Sequence, residues 1–394
     1  MAIHSTRQLP AIPRHSLPER RSSPALARAR LAWPSVAPEP VPFVGLKGSV
    51  DFGYHKGPAL LAPGSRVGIL CDTLHGDREI ALDYQAGLAA GAALIRELGF
   101  EPVIDRTQAA VAPYFERWAG SPEERVRHVV RLLDDYRVDA VFPLFGKGGC
   151  HGVVDALAES SFRPRRPVVL LGGFSHHSDW ALFAQSQRGQ GFFSHAISTT
   201  QCAYWEILPS ANVHNLRALV RGASSVRYTG VLRLNDAAAA HEQGVVGPLS
   251  GGNLSAILLN RDKEWMPDLR GRIVLCEDYD RHAHDFHRTF SSLARQLERT
   301  GAAALLVGAM LPMKRVAHAQ LEPEARKQAA QLDRAELDAI VSEVASRTRI
   351  PVYRQPEICG HGAMNYPLGM GGMARIEPAS DGSYTLENQL EVCV

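Results

Sequence analysis

Four short, nearly unbroken apolar runs constrain this chain most: Arg66-Val-Gly-Ile-Leu-Cys71, Val138-Asp-Ala-Val-Phe142, Pro167-Val-Val-Leu-Leu171 and Arg272-Ile-Val-Leu275. Runs of this length, rich in β-branched residues and bounded by turn residues, read as strands buried on both faces. Helical patterns separate the early ones. Residues 79–98 are rich in Ala and Leu and stop at Gly99, before a further strand over 101–105. Ser121-Pro-Glu-Glu124 is a capping box with proline at the first helical position, opening a helix that runs to about Tyr136. Strands that alternate with helices predict an α/β fold with a parallel sheet covered on both faces.

At 394 residues the chain exceeds one compact core, and two domains are expected, 58–225 and 226–394. Residues 1–57 are rich in Pro, Arg and Ser without a sustained period. They read as an irregular extension, or as an arm packed on the body or on a partner chain. A helical stretch from Thr199 to Arg221 precedes a polar, glycine-bearing region from Gly222 to about Gly251, read as the crossover between domains. The second half is mixed α/β, with strands at 271–276, 303–309, 351–353, 371–377 and 384–392 and helices near 284–300 and 323–348. Asp381-Gly382 joins the last two strands as a hairpin.

A net charge of +2 and the lack of a basic stripe with interleaved aromatics argue against a nucleic-acid partner. No apolar run approaches the roughly 18 residues of a membrane span. Arg20-Arg21 is followed by Ser-Ser-Pro-Ala-Leu-Ala-Arg, whose charge breaks any twin-arginine signal, so a cytoplasmic location is expected. The six cysteines form no CxxC pair and predict neither zinc nor disulfides. Cys276 and Cys359 read as small buried strand-end residues. His282, His284 and His287 with Asp285 resemble a metal cluster. Phe286, Phe290, Leu293 and Leu297 instead set an inward helical face there, and no further ligand group is identifiable, so neither metal nor cofactor is expected.

The chemistry concentrates just past strand ends, where a rigid sheet positions groups that a loop exposes. Ser175 follows 167–171 on a turn whose Gly172 and Gly173 permit close backbone approach, and the amide of the next residue, His176, points toward any oxyanion. The G-x-S-x-G form is incomplete, because position 177 is His. His176 and His177 read as substrate contacts or supporting groups. A second cluster, Gly146-Lys-Gly-Gly-Cys-His-Gly152, can present the amides of Gly148 and Gly149 to an oxyanion or substrate carboxylate, a plain tight turn being the rival. Glu277 and Asp278 compete as the carboxylate that orients an imidazole, and His361, between two glycines, is the candidate base.

These segments resemble the LD-carboxypeptidase family of serine peptidases, over about Pro58 to Val394. Pro58-Ala-Leu-Leu-Ala-Pro-Gly-Ser-Arg-Val-Gly68 is similar to the family's opening strand. Lys147-Gly-Gly-Cys150 resembles its Arg-Gly-Gly-Tyr turn, and Gly173-Phe-Ser175 its nucleophile turn. Gly251-Gly-Asn-Leu-Ser255 resembles its Gly-Gly-Asn-Leu segment, Pro267 to Asp278 its acid-bearing strand, and Gly360-His-Gly362 closes the set. The resemblance implies a flavodoxin-like N-terminal domain carrying Ser175 as nucleophile. It implies a C-terminal domain carrying Glu277 as acid and His361 as base, with oxyanion amides from Gly148 or Gly149 and from His176, and a homodimeric assembly. A small peptide or peptide-like substrate, murein or specialised, would be hydrolysed near a free carboxylate. Acyl transfer with the same residues, and a non-catalytic binding protein on this fold, are the alternatives. The family's Asp after the serine is His176 here and its Arg is Lys147, and the arm and the helix near 323–348 are additions; these bear on substrate choice.

Overall fold

The computed structural model describes residues 41–42, 49–54, 60–73, 76–77, 82–109, 118–146, 149–172, 177–199, 215–219, 222–312, 322–356 and 367–390. All lie in one unit, Pro34–Val394, built on two sheets. Strands β1 (Val41–Pro42) and β2 (Ser49–Tyr54) come first. Next are β3 (Arg66–Leu70), a ribbon of β4 (Gly76–Asp77) and β5 (Leu82–Asp83), helix α1 (Tyr84–Glu97) and β6 (Glu101–Val103). Helices α2 (Arg106–Ala109) and α3 (Pro122–Val130) lead to β7 (Ala140–Pro143), α4 (Cys150–Glu159) and β8 (Val168–Leu171). Then come α5 (Ser178–Ala184), β9 (Phe193–Ser198) and α6 (215–219).

The second half begins with β10 (Ala223–Arg233), α7 (Asp236–Ala239), β11 (Val245–Asn253) and α8 (Leu254–Asn260). It continues through β12 (Ile273–Arg281), α9 (Ala283–Thr300), β13 (Ala304–Pro312), α10 (Pro323–Arg347) and β14 (Val352–Arg354). Strands β15 (Leu368–Gly369), β16 (Met373–Pro378) and β17 (Tyr384–Gln389) complete it.

The apolar runs pair side by side. The six-stranded sheet has the order β15-β9-β8-β7-β3-β6, with every neighbour parallel except β15. Helix α3 starts at the expected capping box: Ser121 Oγ accepts from Glu124 N–H at 3.3 Å, and Ser121 N–H donates to Glu124 at 2.8 Å. The nine-stranded sheet runs β1-β2-β10-β14-β13-β12-β11-β16-β17. Because β10 also pairs with β17, the seven strands from β10 to β17 in that order close into a barrel-like ring. Its parallel part is β11-β12-β13-β14, of which β12, β13 and β14 are the strands expected at 271–276, 303–309 and 351–353. In α9, Phe286, Phe290, Leu293 and Leu297 are buried as the helical period predicts, and the helix stops at Gly301 with φ 74°. The expected hairpin joins β16 and β17.

Three readings need correction. The stretch 222–251 is no mere crossover, because it contains β10 and most of β11. Strand β10 is half-buried, so Ser, Arg and Thr alternate with its apolar residues and mask the run. Strand β11 is interrupted by glycines that packing demands: a Cβ on Gly247 would lie 2.4 Å from the Gly271 carbonyl oxygen. Within the supposedly irregular first 57 residues, Ser49–Tyr54 is a strand on β10, with Val50 and Phe52 buried on alternate positions. Of the stretch 199–221 read as helical, residues 200–214 and 220–221 lie outside the described residues; 215–219 are helical and Thr199 is not. Among the described residues no helix is long and apolar enough to cross a membrane.

The sheets are stitched together. Strand β15 comes from the C-terminal half yet pairs with β9, Leu368 opposite Ser198. Asn388 of β17 fastens it by accepting from Gly369 N–H at 2.7 Å and donating to Gly369 O at 3.2 Å.

Candidate functional site

Ligand sites in parallel α/β sheets form beyond the carboxyl ends of the strands, where the strand order reverses. In the six-stranded sheet that reversal falls at β3, which has β6 on one side and β7 on the other. Asp72 and Thr73 follow β3, Gly149 follows β7 and Gly172 follows β8. Thr73 Oγ1 donates to Phe145 O at 3.0 Å and ties the first two ends together. Gly149, at φ 111°, precedes α4, and a Cβ there would press on Arg125 and Trp118 at 3.0 Å. Gly172 has φ 103°, the left-handed backbone that glycine favours at such a turn. Ser175, His176, Gly148 and His361 lie outside the described residues, as does Lys147.

The flank of the serine turn is described. His177 and Ser178 open α5 and are both fully buried. His177 Nε2 lies 3.3 Å from Asp72 Oδ1, while Trp180 Nε1 donates to Asp72 Oδ2. The Asp72 carbonyl accepts from Arg125 Nη1 at 2.9 Å, and the same nitrogen donates to Gly149 O at 2.7 Å. The Arg125 guanidinium also lies over the Trp118 ring, 5.5 Å from its centroid.

From the barrel side, the ends of β11 and β12 reach the same place. Ser178 Oγ accepts from Asn253 N–H at 2.8 Å. Gly252, at φ 133°, is obligatory there: a Cβ would sit 2.4 Å from Ser178 Oγ. Asn253 caps α8 by accepting from Ser255 N–H at 3.0 Å, and its Nδ2 donates to Asp278 Oδ1 at 3.2 Å. Asn253 and Glu277 are Cα partners in the parallel register, and Glu277 is fully buried. The register of β12 against β13 shifts between Cys276 and Asp278, an irregularity of the kind that re-aims a side chain.

Two buried charged clusters support this junction. Asp179, on α5, accepts from Asn260 Nδ2 of α8 at 2.6 Å and from the Cys150 thiol of α4 at 2.9 Å. Burial pushes its carboxyl up to about 6, against the opposing pull of the Cys150 bond, the nearby His151 and the Asn260 bond. Behind β3, His128 Nε2 accepts from Cys71 N–H at 3.0 Å, which leaves Nδ1 as the donor to Asp105 at 3.1 Å. Burial works to raise the Asp105 pKa, but hydrogen bonds from His128, Thr107 and Arg131 overcome it and hold the carboxyl far below its usual range. Burial lowers the His128 pKa and keeps the ring neutral.

Of the expected site residues, Glu277 and Gly149 are therefore described, on the barrel and on the parallel sheet respectively. Cys71, Cys150 and Cys276 are buried and in no disulfide. His287 pairs with Glu343 of α10 at 3.6 Å, and among the described residues no group of three His, Cys, Asp or Glu is placed to hold a metal. Asp72, Arg125 and Asn260 did not stand out in the sequence. Their partners lie on other elements, and the only hint is a polar residue just past an apolar run.

A parallel sheet and a barrel-like sheet meeting strand-end to strand-end define the class. The model of the LD-carboxypeptidase N-terminal domain matches residues 79–194, and that of the LD-carboxypeptidase C-terminal domain matches residues 246–376. The chain belongs to the LD-carboxypeptidase family, a family of peptidases. Solved structures share the fold. Muramoyltetrapeptide carboxypeptidase from Oxalobacter formigenes aligns with TM-score 0.58 and 17% identity, over 83% of this chain and 100% of that one. An MccF-like protein from Bacillus anthracis str. Ames aligns with TM-score 0.64 and 14% identity, over 85% and 99%. The microcin C7 self-immunity protein MccF, in complex with aspartyl sulfamoyl adenosine, gives 0.61 and 16%, over 85% and 98%. Among curated proteins, none matches the chain.

Proposed function

We propose that this protein is a metal-independent serine peptidase that hydrolyses an amide near a free carboxylate of a peptide-like substrate, with Ser175 as nucleophile, His361 as base and Glu277 as the orienting acid. One observation carries the reading: Ser178, three residues past Ser175, bonds to Asn253, whose strand partner is the buried Glu277. The flank of the proposed nucleophile and the proposed acid thus approach from different sheets. Asp278, the competing carboxylate, is engaged by Asn253 Nδ2 and by its own neighbour Tyr279 N–H at 2.9 Å, which favours Glu277 for the catalytic role.

In this mechanism Ser175 Oγ attacks the scissile carbonyl while His361 takes its proton. The amides of Gly148 or Gly149 and of His176 receive the oxyanion, and the leaving amine departs with the proton from His361. Water, deprotonated by His361, then resolves the acyl-enzyme. Glu277 holds the imidazole's tautomer and stabilises the imidazolium. The parallel order β6-β3-β7-β8-β9, which is 2-1-3-4-5 along the sheet, supports a flavodoxin-like reading of residues 58–225, with the acid and base in 226–394. A fold relative that binds aspartyl and glutamyl sulfamoyl nucleosides favours aminoacyl or peptidyl substrates with a carboxylate.

The test is Ser175→Ala against a panel of murein peptides and aminoacyl nucleotides, with products identified by mass spectrometry. Turnover should vanish while the melting temperature holds, and the parent should be labelled by a serine-directed phosphonate. An undiminished rate in the variant defeats the proposal.

A further inference from the structure

Asp72 is the point where both turns at the sheet's reversal are held. Its carboxylate receives His177 Nε2 at 3.3 Å and Trp180 Nε1, so the first turn of α5 is fixed to the end of β3. Its carbonyl shares the Arg125 guanidinium with Gly149 O, so the glycine turn is fixed to the same residue. Asp72 and His177 are both fully buried. A carboxylate oxygen only accepts, so the ring nitrogen facing it carries the hydrogen. The other nitrogen, Nδ1, is buried and has no hydrogen-bond partner among the described residues. A ring held by one directional, charge-assisted bond beside a rigid tryptophan has little freedom to turn. His177 lies two residues past Ser175 along the chain.

We propose that Asp72 and His177 form a positioning pair that holds the Ser175 turn in its attacking geometry, with Arg125 coupling the same aspartate to the oxyanion turn. The inference rests on the serine-peptidase reading. His177 neither touches substrate nor moves a proton in it. It acts through Ser175, because displacing a reacting atom by about 1 Å costs on the order of 100-fold in rate.

The experiment compares His177→Ala, His177→Gln and Asp72→Asn in the full chain, reading kcat, KM, phosphonate labelling rate and melting temperature. The Gln side-chain N–H can reach Asp72 as Nε2 does, but cannot act as a base. His177→Ala should lower kcat and labelling together by about 10- to 100-fold with KM within about threefold, and His177→Gln should restore most of both. Asp72→Asn, nearly the same shape, should fall with the alanine variant, and it decides the matter by the same readouts if His177→Ala does not fold. Parent-like kcat and labelling in the folded alanine or asparagine variant overturn the pair. So does a glutamine variant as inactive as alanine, which would make His177 a proton carrier, and so does a loss confined to KM. A parent that the phosphonate does not label sinks the serine reading itself; a labelled parent with unaffected variants sinks the pair alone.

Discussion

The Ser178 hydroxyl accepts the Asn253 backbone N–H at 2.8 Å, and through that one bond the first turn of α5 meets the end of β11. Close approach is possible only because Gly252 carries no side chain. A Cβ at Gly252 would lie 2.4 Å from Ser178 Oγ, on a backbone with φ 133°. Gly252→Ala should therefore destabilise by about 2–4 kcal/mol, the sum of backbone strain and overpacking. Gly271→Ala is the control: φ is 68°, but nothing lies within 4 Å of the added atom. It should cost only about 1 kcal/mol, the left-handed penalty alone. Urea unfolding of both variants measures the difference, and equal losses would deny that the junction is tight.

Asp179 gives the junction a pH dependence. Its carboxyl is raised by burial from an ordinary 3.8 to about 6 in the folded protein. Between those values the folded state holds the proton more tightly than the unfolded chain. The stability this group contributes is thus full at low pH and is lost as pH rises through about 6. An Asn at this position does not titrate and still accepts from Asn260. The stability of Asp179→Asn relative to the parent should therefore rise by about 2–3 kcal/mol from pH 4 to pH 7.5. Paired urea titrations at the two pH values read this directly, and a flat difference would place the titration elsewhere.

How much was legible in the sequence depended on what each residue packs against. Strands β12 and β13 are covered on both faces, so their apolar runs are unbroken and their places could be read directly. Strand β10 alternates buried and open positions over a polar composition, and so its sequence reads as a crossover. Glu277 could be found because an acid right after an apolar run stands out, although it lies within β12 and not past the strand's end. That Asn253 occupies Asp278 could not, since it follows from the parallel register of β11 on β12. Asp72 was invisible for the same reason, with His177 lying 105 positions away along the chain. Contacts made by topology leave no local pattern to read.

Glu277→Gln separates the two neighbouring carboxylates. Glu277 is fully buried, and glutamine keeps its shape while removing the charge that would orient and stabilise the imidazolium. The expected result is a fall in kcat of about 10³- to 10⁴-fold with the melting temperature nearly unchanged. Asp278→Asn should behave in the opposite way. Its carboxylate accepts from Asn253 Nδ2 and from Tyr279 N–H through one oxygen, Oδ1; asparagine keeps an acceptor there but not the charge that strengthens both bonds, which loosens the hold on the residue that caps α8. A destabilisation of about 1–2 kcal/mol with a much smaller loss of kcat is expected there. Steady-state rates and thermal melts of the two variants, measured side by side, decide the assignment. If Asp278→Asn loses the rate and Glu277→Gln keeps it, the acid is the neighbour, and the irregularity between Cys276 and Asp278 serves to aim that side chain instead.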